Sequence, residues 1–231
     1  MTHSLRLLAL LLSLGFAGFS CALEAPQAKG PQLPNLRLDL KTKTIEIDGV
    51  FCEGEYPLEL LMCQNTMRDY ESLISSPCQP SILHTALLAL GLVPRKRDEK
   101  DPAKILREGD PIDLLIRYSK DGKDVTVEPR DLIVDLRTKR HIAATPWVFY
   151  GSYVFPDPNA NDKMIYLADA ENWLVGLLGD TASVIDLPRD AAGKYGALEI
   201  DRKAVPPKGT KATIIIRPAG GKAPAQPPKN E

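Results

Sequence analysis

Three side chains in this sequence are of the types that acid–base or metal-assisted chemistry uses: Glu59, Glu71 and His84, all between Pro57 and Pro94. Two carboxylates do such work when their surroundings push their pKa values apart, and a histidine titrates near neutrality. Together they would suit a small hydrolase or a metal-assisted enzyme. The same stretch holds Cys63 and Cys78, with Cys52 just ahead of it. A free, reactive Cys63 would suit a redox accessory protein. A plainer reading competes with each. Glu59 alternates with apolar neighbours, as a solvent-facing strand residue does, and a lone histidine on an apolar helix packs with a ring nitrogen bonded to backbone.

Other chemistries are excluded by spacing. Iron–sulfur and structural zinc sites group cysteines a few residues apart. Cys52, Cys63 and Cys78 are widely separated, and no CxxC occurs. GxSxG, GxGxxG and a P-loop are also absent, so no cofactor is expected. Asp157, Asn159 and Asn161 alternate as in a calcium loop and are the metal candidates. Asp162, however, stands where that loop needs glycine, and Ala168 where it needs glutamate. Trp147, Phe149, Tyr153 and Phe155 alternate along one run. Such a stripe reads as sheet core, with Trp147 and Tyr153 as candidates for stacking on a ligand.

The elements that must position these residues are mainly strands. LRLDLKTKTIEIDG alternates apolar and polar residues. LELLMC and YESLIS predict a hairpin about residues 64–70. Pro80 opens and Gly91 closes a short apolar helix. Asp121–Gly122 separates IDLLIRY from DVTVEP as a hairpin turn. PRDLIVDLRTKR has helical spacing, and RKRDEKD (95–101) reads as a solvated loop. WVFYGSYVF, MIYLADA and WLVGLL read as strands, followed by a final pair, YGALEID and TKATIIIRP. The expected class is α+β, mainly antiparallel sheet with two short helices. In the 64–70 hairpin, Cys63 falls near the turn and Cys78 near the open end, beside Cys52. The expected disulfide is therefore Cys52–Cys78 with Cys63 a buried free thiol, and three free thiols is the alternative.

The ends of the chain read differently from its middle. Residues 1–22 have one positive charge, an apolar run and small residues, as a secretory signal peptide does. Cleavage after Ala22 fits, and lipidation at Cys21 is the competing route. Residues 23–35 read as a flexible tether and 219–231 as a disordered Pro/Ala/Gly/Lys tail, leaving one globular domain over 36–218. Export places the domain in the periplasm or cell envelope, lipid-anchored if Cys21 is modified. A net charge of −1 gives no electrostatic case for nucleic acid. Another envelope protein is the expected partner, with membrane contact only through Cys21.

PLELLMC with YESLI, ILHTALLALGL, TPWVFYGSYVF, YLADAENWLVGLLGDTASVIDLP and VPPKGTKATIIIRP follow one another over residues 45–218. In this order they resemble the YdjY-like family of exported bacterial proteins. The family's Lys–x–His–Glu-like run corresponds here to Arg68, Asp69, Tyr70 and Glu71, so Tyr70 replaces the histidine. The resemblance implies an exported single domain and brings no activity with it. With no catalytic signature in the sequence, the expected function is a non-enzymatic binding or accessory module of the envelope.

Overall fold

The computed structural model describes residues 33–220 except 66, 99, 102, 103, 161, 162, 180 and 181. The signal segment with Cys21, the tether before Leu33, Asn161 and the tail beyond Gly220 lie outside the described residues.

Alternating apolar residues pair β1 (Leu36–Asp39) with β2 (Thr44–Phe51). β3 (Leu60–Gln64) and β4 (Ser72–Ser76) follow, then helix α1 (Pro80–Ala89). Pro80 occupies the first turn of α1, where its missing N–H costs nothing. The Ser81 amide there is capped from a distance by Asp169 at 2.8 Å. A small hairpin, β5 (Lys96–Arg97) and β6 (Ile105–Arg107), precedes the long hairpin of β7 (Pro111–Lys120) and β8 (Lys123–Val127). Asp121 and Gly122 turn that hairpin with φ of 52° and 75°, the left-handed pair a two-residue turn requires. Next come β9 (Ile133–Asp135), β10 (Arg140–His141), β11 (Trp147–Phe149), β12 (Val154–Pro156) and β13 (Met164–Tyr166). Helix α2 (Leu167–Glu171), β14 (Trp173–Gly176), β15 (Ile185–Asp186), β16 (Leu198–Ile200) and β17 (Lys211–Pro218) complete the chain.

Eight of the described strands close into a barrel in the order β2-β17-β7-β11-β15-β14-β3-β4, with β4 pairing back to β2. β1 and β8 extend β2 and β7 outside the ring, and β9, β10 and β16 form a separate three-stranded sheet. The expected α+β class is therefore corrected. The fold is mostly β, 41% strand against 12% helix, around a closed barrel of mixed pairing. Its two helices are too short to build a layer. Ile45, Ile47, Ile112, Ile116, Ile214 and Ile216 are fully buried in one continuous core that also takes Leu83, Ala86 and Leu87 of α1.

Several local expectations change with it. β3 and β4 run parallel, with Leu60 beside Ser72 and Cys63 beside Ser75, so the 64–70 hairpin does not form. All five residues of β4 are buried between β3 and β2, as a strand paired on both edges within a barrel wall allows. The register also removes the expected bridge. The Cys52 amide bonds the Leu73 carbonyl at 2.9 Å, and Cys78 is five positions further along, roughly 16 Å of extended chain. Bridged Cα atoms lie within about 7 Å. Cys52, Cys63 and Cys78 are all free and buried. PRDLIVDLRTKR is a 3₁₀ turn at Pro129–Leu132 leading into β9, not a helix. WVFYGSYVF breaks between β11 and β12, where Gly151 and Ser152 take φ of 78° and 50°. Only the first part of MIYLADA is strand; the rest is α2. YGALEID and TKATIIIRP do not pair: β16 joins β9, and β17 lies between β2 and β7.

Candidate functional site

β7 and β17 are neighbours in the barrel wall, with Leu115 opposite Ile215 and Asp113 opposite Arg217. Alternation along both strands sends Ile112, Leu114, Ile214 and Ile216 into the core. It leaves Asp113, Leu115, Ile215 and Arg217 on the outer face. There, Pro129–Arg130 and the segment 142–146 stand over them, and the groups enclose a cleft of about 390 Å³. That volume suits a small ligand or a bound side chain. Leu115, Ile215, Leu187 and Trp147 supply apolar walls; Asp113, Glu128, Arg130 and Arg217 supply the charges.

The charged groups of the cleft are not alike. Arg130 is committed to Glu128, Nε to Oε2 at 2.6 Å, in a capping box with Asp131. One Asp113 carboxylate oxygen accepts the Gly220 amide at 3.3 Å. Arg217 has no such commitment. Its Nε is buried and makes no hydrogen bond, and among the described residues no carboxylate forms an ion pair with it. Burial lowers the Arg217 pKa, although Asp113 and Glu46 pull it upward. The Nε end of the guanidinium is thus desolvated without a partner, while the side chain as a whole is partly buried.

Of the two stacking candidates, Trp147 forms part of the cleft wall and is 5% exposed. Tyr153 lies beyond the Gly151–Ser152 break, exposed, and tilted against Phe155 at 6.5 Å between centroids.

The acid–base candidates occupy two places. Glu71 is buried and bonds Arg68 at 3.0 Å; Arg68 also holds Glu171 at 2.9 Å and lies 5.8 Å from the Trp173 ring centroid. The Glu59 amide bonds the Glu71 carbonyl at 3.0 Å, so these two are backbone neighbours. His84 belongs elsewhere. Its Nδ1 is 2.8 Å from the Tyr166 hydroxyl, which donates to the Gly151 carbonyl at 3.1 Å, and its ring meets Phe149 edge-on at 5.0 Å. This makes Nδ1–H the donor to Tyr166. Burial lowers the His84 pKa, partly offset by the Gly151 backbone. Among the described residues, the hydrogen bonds and ring contacts of Glu71 and His84 share no partner.

The thiols are shielded. Cys63 is fully buried, with its Sγ 3.3 Å from the Asn65 carbonyl, and burial raises its pKa. Burial also pushes Cys52 and Cys78 up to about 12, with Cys63 adding to the effect on Cys52. In the calcium candidate loop, Asp157 accepts the Asn159 amide at 2.8 Å, closing its own turn.

Two arginines escaped the sequence reading. Arg95 was placed in a solvated charge run, yet its side chain is 1% exposed. Its guanidinium carbon lies 3.4 Å from the Tyr150 ring centroid, and Nε and Nη2 bond Glu108 at 2.9 and 2.7 Å. Arg217 stood only as the polar end of an apolar strand. Strand alternation signals that it faces outward; nothing local to it signals that the segment 142–146 stands over it.

A family profile described as the YdjY domain matches residues 36–217. Comparison with curated proteins and with solved structures gives no match. The matched span covers the β1–β17 fold nearly end to end, including the cleft, and the chain belongs to the YdjY domain family.

Proposed function

We propose that this domain is a non-enzymatic binding or accessory module, exported and at work in the cell envelope, which holds a small ligand or a partner's side chain in the Trp147–Arg217 cleft. The observation that carries the reading is the cleft itself. It joins an apolar floor to a cation with which no carboxylate among the described residues forms an ion pair, which is a recognition arrangement. The carboxylates in it are already engaged, Glu128 by Arg130 and Asp113 by the Gly220 amide. Export rests on the signal-like residues 1–22.

Photo-crosslinking in cells tests both halves. A photoreactive amino acid replacing Ala144, an exposed cleft residue, yields an envelope-fraction adduct. The same replacement at exposed Lys139, outside the cleft lining, does not. Equal labelling from both positions, or a chain retained with residues 1–22 in the cytoplasm, overturns the proposal.

A further inference from the structure

We infer that the group this cleft recognises is a carboxylate on a compact apolar body, held by the Arg217 guanidinium; the inference rests on the cleft being a binding site. The pattern comes from the protein's own arginines. Arg37, Arg95, Arg130 and Arg137 each place Nε on a carboxylate oxygen. Arg137 adds Nη2 on the second oxygen, the two-point grip that suits a planar carboxylate, and Arg95 places both Nε and Nη2 on one Glu108 oxygen. Arg217 lines the cleft, and no carboxylate among the described residues forms an ion pair with it.

Its strand neighbour does not fill the role. Asp113 stands opposite Arg217 in register but accepts the Gly220 amide. The charge count favours a monoanion. Arg130 is neutralised by Glu128, and Asp113 and Glu46 act on Arg217 from the barrel wall. A second negative charge on the ligand would meet those carboxylates without a second free cation. Beside Arg217, Ile215 and Leu115 are paired in register along the floor, and Trp147 closes one wall. A cleft of about 390 Å³ accommodates a body the size of a phenyl or branched alkyl group with a short linker.

Calorimetric titration of the mature chain decides this. The probes are N-acetyl-L-phenylalanine and N-acetyl-L-leucine, their neutral amides, and benzyl phosphate. The expected result is that both carboxylates bind at least tenfold more tightly than their amides and than the phosphate. Arg217→Gln removes that preference, and Arg217→Lys restores it in part, because lysine keeps the charge and loses the fork. Thermal melts establish that the variants fold. Carboxylates and amides binding alike overturns the carboxylate inference and leaves the cleft reading standing. Tighter phosphate binding also overturns it. If no probe binds, both readings fail.

Discussion

Arg217 and Asp113 face each other across β17 and β7 and form no ion pair. Elsewhere in the same sheet charged neighbours are matched. One strand over, Glu46 receives Arg117 at 3.0 Å and Arg37 at 3.3 Å. The unmatched pair lies where the segment 142–146 stands over the wall, so the Arg217 Nε loses water without gaining a carboxylate.

This predicts a trade between stability and binding at Arg217. Arg217→Met keeps the packing volume and removes a poorly compensated guanidinium. Stability is expected to rise by a few tenths of a kcal/mol and at most about 1 kcal/mol, because the substitution removes a buried Nε with no hydrogen-bond partner from a side chain that is otherwise only partly buried. Urea denaturation with an unchanged slope reads it as a higher midpoint. A loss of similar size would mean that Arg217 is already satisfied within the fold.

Asp186 should behave in the opposite way. It is fully buried and accepts the Gly179 and Leu187 amides and the Ser183 hydroxyl, at 2.9, 2.7 and 2.8 Å. A Cβ at Gly176 would come within 2.1 Å of its Oδ2, so the strand beside it needs glycine. Asp186→Ala leaves three donors unpaired and is expected to cost about 3–5 kcal/mol. Leu187, next to it, lines the cleft, so ligand binding weakens as well. Little change in the denaturation midpoint would refute the role assigned to this carboxylate.

The thiols are expected to be silent. With Cys52 and Cys78 pushed up to about 12 and Cys63 raised, iodoacetamide at pH 8 should leave all three unmodified in native protein. All three should react after unfolding. Peptide mapping reads each site. Native alkylation of Cys63 would revive a redox role, and a bridged Cys52–Cys78 peptide would contradict the β3–β4 register.

His84 gives the fold a mild dependence on pH. Its folded pKa lies below the ordinary 6.5, chiefly through burial. The unfolded chain therefore takes up a proton before the folded one does. The stabilisation is complete above about pH 6.5 and is lost as pH falls through that value toward the folded pKa. Denaturation midpoints measured from pH 7.5 to 5 should decline in the native protein and flatten in His84→Phe. Identical profiles would show that His84 carries no such linkage.

The sequence was most legible where local rules decide the outcome. Pro80 and Gly91 bracket α1, Asp121–Gly122 turns the β7–β8 hairpin, and the TKATIIIRP strand is β17. It was least legible where pairing is non-local. LELLMC and YESLIS look like a hairpin because short connections normally join antiparallel strands. The chain instead turns at Asn65, and residues 67–71 lead into a β4 that lies parallel to β3. That single change moved Cys52 away from Cys78. The site was half visible: Trp147 could be named from its aromatic run, but Arg217 matters only because a distant segment, 142–146, stands over it. Arg95 failed for the same reason, since a charge run gives no sign that Tyr150 receives one of its members.

The most direct test of the cleft uses the chain's two tryptophans, Trp147 in its wall and Trp173 beside Arg68. Their indole N–H resonances, assigned with Trp147→Phe, are followed while N-acetyl-L-phenylalanine is added to the protein. The account predicts a saturable shift of the Trp147 resonance, a still Trp173 resonance, and loss of the shift in Arg217→Gln. A Trp147 resonance that stays fixed while Trp173 moves, or one that moves equally in Arg217→Gln, would contradict it.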